Sequence, residues 1–180
     1  MKEQGRLAAT LLIVLFIACG NAFAGTVPET PENLKAPAGE TLSVEAQARG
    51  VQIYECKAAA GDPARFEWVF KAPEAELFGS AGKKIGKHYA GPTWESADGS
   101  KVAGAVKAKD NGPDPGAIPW LLLTAKSTSG EGVFSGVTSI QRLKTAGGKP
   151  PAEGCTQTEA GKELRVPYTA TYYFYVKDRP

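Results

Sequence analysis

From Arg165 to Val176 the chain alternates without a break. Val166, Tyr168, Ala170, Tyr172, Phe174 and Val176 take every second position, and Arg165, Pro167, Thr169, Thr171, Tyr173 and Tyr175 stand between them. A period of two sends successive side chains to opposite faces of an extended backbone, so this segment predicts a strand with one face on a core. Its β-branched and aromatic content favours the same conformation. A strand this long also needs neighbours for its backbone N–H and C=O groups, which makes a sheet the first expectation for the whole chain.

The remaining segments agree. Leu42, Val44, Ala46 and Ala48 alternate with Ser43, Glu45, Gln47 and Arg49 up to Gly50, which we expect to end the strand. Val51–Cys56 and Arg65–Lys71 predict two more strands, joined by the turn-rich Ala60-Gly61-Asp62-Pro63. In the second, Phe66, Trp68 and Phe70 share a face that we expect to line the core, as we expect of Trp120. Asp98-Gly99 is a tight-turn signal and predicts a hairpin from Trp94 to Val106. Leu121-Leu122-Leu123, within Ile118–Ala125, is apolar without period, as in a strand buried on both faces. Over Val133–Lys144 a helix is arguable from Val133, Val137 and Ile140, but Gly132, Gly136 and the β-branched residues favour a strand. Two prolines make Val27–Leu34 an extended lead-in. No stretch sustains a helical apolar pattern, and 21 Gly with 13 Pro would interrupt long helices. The expected fold is all-β, an antiparallel β-sandwich or barrel with long loops.

The N-terminus carries Lys2 and Arg6, then the apolar run Leu11–Ala18, then Ala22-Phe23-Ala24. That order of basic, apolar and small-x-small predicts a signal peptide over residues 1–24, followed by a single β domain over 25–180 that works in the periplasm or outside the cell. A rival reading takes Ile17-Ala18-Cys19-Gly20 as a lipoprotein site anchored at Cys19, although Phe16 stands where that motif usually has Leu. No later apolar run is long enough to span a bilayer as a helix. Without residues 1–24 the chain has 19 basic and 18 acidic side chains, a balance that gives no reason to expect nucleic acid as a partner. It then has two cysteines, Cys56 and Cys155. In an oxidising compartment these predict one disulfide, whereas a redox or metal pair lacks both a C-x-x-C spacing and enough histidines.

The densest unusual segment is Gly86–Ser100, which holds His88, the only His of the chain, with Tyr89, Trp94, Glu95, Asp98 and Ser100. Here the chain resembles a known family, the exported bacterial and fungal proteins grouped as domain of unknown function 3455. The resemblance rests on Gly50-Val51-Gln52-x-Tyr54-x-Cys56, on Trp68 with Pro73-x-Ala75-x-Leu77, and on His88-Tyr89-x-Gly91-Pro92-Thr93-Trp94 running to Asp98-Gly99-Ser100. Further on it rests on Ile118-Pro119-Trp120-Leu121-Leu122, on Ile140-Gln141-Arg142 with Thr145-x-Gly147-Gly148, and on Tyr168-x-Ala170-x-Tyr172-x-Phe174-Tyr175. It covers almost all of the chain after the signal and brings no established activity.

No residue set here matches a reaction whose chemistry is defensible from sequence. His88 with Glu95 or Asp98 is a possible acid/base pair of a hydrolase, but in an extended chain residues 88 and 95 lie more than about 20 Å apart, so the pair requires a fold-back at Gly91-Pro92. One His with scattered carboxylates is a poor metal set. Ser100 lies in no Gly-x-Ser-x-Gly context, and Pro150-Pro151 prevents a helix behind Thr145–Lys149 that would cradle phosphate. We therefore expect no catalytic residue, no metal and no cofactor. The expected function is a non-catalytic module that binds a ligand or surface, with a small molecule or carbohydrate as partner and a rim of His88, Tyr89, Trp94, Glu95, Asp98 and Arg142. The alternatives are the hydrolase and a structural protein-interaction domain.

Overall fold

A computed structural model describes residues 29–178 of the chain, so the expected signal peptide and Cys19 lie outside the described residues. Eight strands follow one another: β1 Glu40–Ala59, β2 Asp62–Phe78, β3 Lys84–Tyr89, β4 Thr93–Ser96, β5 Lys101–Asp110, β6 Trp120–Ser129, β7 Val137–Gly147 and β8 Glu163–Lys177. Each pairs antiparallel with the next, and β8 returns to pair with β1, so the sheet closes into a ring. Closure removes the free edges that an open sheet leaves exposed. Among the described residues no helix is long and apolar enough to cross a membrane.

The ring is uneven. β1 and β8 stay paired from Glu40↔Lys177 to Glu55↔Glu163, whereas β4 and β5 pair only over Thr93↔Ala103, Trp94↔Val102 and Glu95↔Lys101. β3 meets β2 only from Ala75↔His88 to Phe78↔Lys84, so β1 is the one strand alongside the first half of β2, with a single bridge from Phe66 to Cys155 on the other edge.

That overhang corrects one expectation. Phe66 and Trp68 are only half-buried, and Phe70 is 52% exposed, because no strand lies on the other edge of this part of β2 to give them an interior. Phe66 and Trp68 instead border a crevice with the Lys149–Gly154 loop. Trp120 is likewise half-buried.

Gly50 is a second correction. β1 runs straight through it, so the two strands expected on either side of Gly50 are one. A Cβ there would stand 2.1 Å from the Glu74 carbonyl oxygen and 2.5 Å from Ala75 Cα. Gly50 therefore permits close approach of β1 and β2 where a strand end was expected.

The hairpin expected from Trp94 to Val106 is formed by β4 and β5, and Val137–Gly147 is strand, with Val133 exposed in the loop before it. The inner face carries the main core: Ala46, Leu77, Trp94, Leu123, Ile140 and Phe174 represent most of the strands in it. The outer face of β6, β7 and β8 is buried as well. Leu122, Leu143, Tyr173 and Tyr175 pack there against Leu34, which ends the 3-10 turn Glu32–Leu34. Full burial of a leucine contributes about 1.5–3 kcal/mol, and it anchors the lead-in together with the bond from Gln141 Nε2 to the Leu34 carbonyl, 2.6 Å long. Leu121–Leu123 is thus buried on both faces, as its missing period predicts.

The disulfide joins Cys56 to Cys155, with Cα atoms 6.1 Å apart across a sequence separation of 99. It ties the end of β1 to the loop before β8.

Candidate functional site

The chain turns back at Ala90–Pro92, so β3 and β4 form a hairpin in which His88 pairs with Trp94 and Lys87 with Glu95. Cross-strand partners share a face. The register therefore puts the His88 and Trp94 rings inside the ring of strands and sends the Glu95 carboxylate to the other face. There Glu95 accepts a bond from the Tyr89 hydroxyl at 2.8 Å and pairs with Lys87 and Lys101 at 3.5 and 3.4 Å. The fold-back that an acid/base pair would need is present, and its parity separates the two groups.

Inside, His88 lies flat on Trp94, with ring centroids 4.4 Å apart and planes 10° from parallel, and Tyr172 of β8 meets both rings edge-on. His88 is almost fully buried. Its Nδ1 lies 2.9 Å from the Thr93 carbonyl oxygen, which can only accept, so Nδ1 carries the hydrogen and Nε2 keeps a free lone pair. Burial pushes the His88 pKa down to about 3, against the opposing Thr93 bond, and the nearby Arg142 charge lowers it further. The ring is neutral at any physiological pH.

These side chains line a cavity of about 410 Å³ at the end of the ring beside the β2 overhang. Phe70 and Val106 stand at its mouth with more than half of their surface exposed, and Ile118, Leu121 and Leu123 line its wall. Its polar groups are few: His88, Gln52, the Tyr54 and Tyr172 hydroxyls, Lys71 and Arg142. The Tyr54 hydroxyl donates to the Gly148 carbonyl at 2.6 Å. Lys71 pairs with Glu163 at 2.6 Å and with Glu55 at 3.6 Å.

Arg142 reaches the cavity from β7, where its backbone lies across from Leu121 on one side and Tyr172 on the other. Its Nε and one Nη donate to the Pro119 carbonyl at 3.1 and 2.8 Å. Among the described residues no Asp or Glu pairs with it, and none lines the cavity.

Of the expected rim, then, His88, Trp94 and Arg142 meet in one cavity. Tyr89 and Glu95 bond to each other on the outer face. Asp98 sits in the β4–β5 turn. It accepts bonds from the Ser100 hydroxyl, the Ser100 N–H and the Val133 N–H at 2.6, 2.9 and 2.9 Å, which hold its pKa down to about 2, the hydroxyl bond most of all. Ser100 is fully buried and accepts the Phe134 N–H, so its hydroxyl serves to join two loops. Among the described residues no three His, Cys, Asp or Glu gather as a metal site would require.

Gln52 is a cavity residue that the sequence reading did not select. Its signal was available: it is the one polar side chain in Val51–Tyr54 and shares the inward parity of Tyr54 and Cys56. Among the described residues the buried Trp94 Nε1 has no hydrogen-bond partner, and the buried Gln52 Nε2 has none of good geometry although Gln52 lies against the Tyr168 hydroxyl. Buried donors in this state are uncommon and costly, about 1–3 kcal/mol each.

The chain belongs to the family described as proteins of unknown function, DUF3455, whose model matches residues 37–176. No curated protein and no solved structure matches it.

Proposed function

We propose that this member of the family is an exported, non-catalytic module that binds a small molecule in the cavity at the end of its ring of strands. The observation that carries this reading is the cavity itself: about 410 Å³, mostly apolar and aromatic, with a few polar groups converging from β1, β3 and β7. Small-molecule sites have this volume and this composition. Export is supported by the predicted signal peptide and by the Cys56–Cys155 bond, since such bonds persist in oxidising compartments.

The same geometry speaks against a hydrolase built on His88. A general base works best with a pKa near the operating pH, and a neutral imidazole whose pKa is about 3 takes up a proton poorly at pH 7. It also has no carboxylate to orient it, because Glu95 and Asp98 are committed elsewhere.

A metabolite and glycan screen by thermal shift and calorimetry on the exported protein tests the reading. We expect a ligand whose affinity falls when Ile118→Trp fills the cavity and when His88→Phe removes its lone pair. Ligands that bind equally well to a folded Ile118→Trp variant would place binding elsewhere and overturn the proposal.

A further inference from the structure

The cavity holds a positive charge and, among the described residues, no negative one on its lining. Arg142 directs two N–H groups to the neutral Pro119 carbonyl and lies against the Tyr172 hydroxyl, so each of these partners is uncharged. Among the described residues its charge has no carboxylate partner, although it is felt by the Tyr54, His88, Tyr168 and Tyr172 side chains around it. Gln52 lies beside it and interacts with the Tyr168 hydroxyl, which is also uncharged. A half-buried cation in apolar surroundings is costly unless an anion completes it. The other cation on the lining, Lys71, is already neutralised by Glu163 and Glu55.

We infer that the cavity takes a compound with an apolar, preferably aromatic body and a single carboxylate, whose oxygens accept from the Arg142 guanidinium. The inference rests on the reading of the cavity as a binding site and names its ligand class. Three features select that class. One unpaired cation balances one negative charge, so a carboxylate suits it better than a phosphate monoester, which carries close to two at pH 7. The planar fork of arginine matches the two oxygens of a carboxylate. The body of the ligand meets the exposed Phe70 and Val106 at the mouth and the Ile118, Leu121 and Leu123 wall, which carry no charge of their own. His88 is one acceptor among these groups, beside the Gln52 amide oxygen and the Tyr54 and Tyr172 hydroxyls, and its Nε2 keeps a lone pair for a hydroxyl or amide hydrogen if the body carries one.

The test is a matched panel with one body and four heads: phenylpropanoate, phenylpropanamide, phenylpropanol and phenylpropylammonium, titrated by calorimetry against the exported protein. A charge-assisted bond outweighs a neutral one enough to favour the acid over the amide and alcohol by about tenfold or more, with the ammonium weakest. Arg142→Gln, checked for folding by its melting curve, should abolish that preference, and Arg142→Lys, which keeps the charge but loses the fork, should retain part of it. The wild-type ranking stands by itself should Arg142→Gln not fold. Acid and amide bound equally well by the wild type would overturn the carboxylate and leave the binding site intact. An acid preference that survives in Arg142→Gln would also overturn it. No binding by any of the four at millimolar concentration would overturn this inference, while the metabolite and glycan screen decides the binding-site reading separately.

Discussion

His88 makes acid a specific perturbation of this protein. It is neutral and buried in the fold, with a pKa of about 3, and in the unfolded chain it returns to 6.5. The unfolded state therefore binds a proton that the folded state refuses, so stability present above pH 6.5 is lost as pH falls toward 3. Each pH step in that window costs about 1.4 kcal/mol. From pH 7 to pH 4.5 the loss comes to about 2.5 kcal/mol, or about 5–10 °C in the melting temperature of a domain this size. Carboxylates contribute mainly below that range, since Asp98, Glu95, Glu159 and Glu163 are all held below their ordinary values. The assay is a set of thermal melts at pH 7, 6, 5 and 4.5 on the wild type and on His88→Phe, which keeps a ring on Trp94 but does not titrate. The variant loses the Thr93 bond at every pH, so its offset is constant, and the slope of the difference isolates the proton. Because the chain has one His, its ring resonances need no assignment by mutation: NMR should show an Nδ1–H tautomer that stays neutral through pH 4.5. A folded-state titration near 6.5, or a melting difference that does not change with pH, would refute the reasoning.

Cys56→Ser, or reduction, should lower the melting temperature by about 4–16 °C, the equivalent of about 2–4 kcal/mol for opening a loop of this length, and alkylation with mass spectrometry should find neither Cys56 nor Cys155 as a free thiol in the wild type. Gly50→Ala should cost about 3 kcal/mol or more in chemical denaturation, because the added Cβ meets the Glu74 and Ala75 backbone, which has no flexible side chain to move aside; a loss under about 1 kcal/mol would contradict the close approach. Asp98→Ala should raise the hydrogen-exchange rate of the Val133 amide while leaving that of β8 unchanged, and its stabilisation in the wild type, present above pH 3.8, should fade as pH falls through about 2.

Period and turn chemistry made several elements legible in the sequence alone. The alternation of residues 165–176 specified β8, Asp98-Gly99 specified the β4–β5 hairpin, and the two cysteines outside the N-terminal segment, Cys56 and Cys155, pair as expected, because each of these depends on local backbone geometry or on simple pairing. The same reading failed where an answer depended on what lay alongside. Phe66, Trp68 and Phe70 alternate as core residues do, but β3 stops short of them, and no interior exists on that stretch of β2. Gly50 has the composition of a strand end, and only the nearness of Ala75 explains why it lies in mid-strand. The site shows the division most clearly. Sequence determined that His88, Trp94 and Glu95 are neighbours in the chain, but their faces were set by register. Pairing His88 with Trp94 turned Glu95 outward, because a shift of one residue reverses every side chain. Arg142 and Gln52 lie 90 residues apart on β7 and β1, and β8 pairs with both strands. It is closure of the ring through β8 that brings the Arg142 cation and the Gln52 amide to one cavity, and no local period in the chain encodes that meeting.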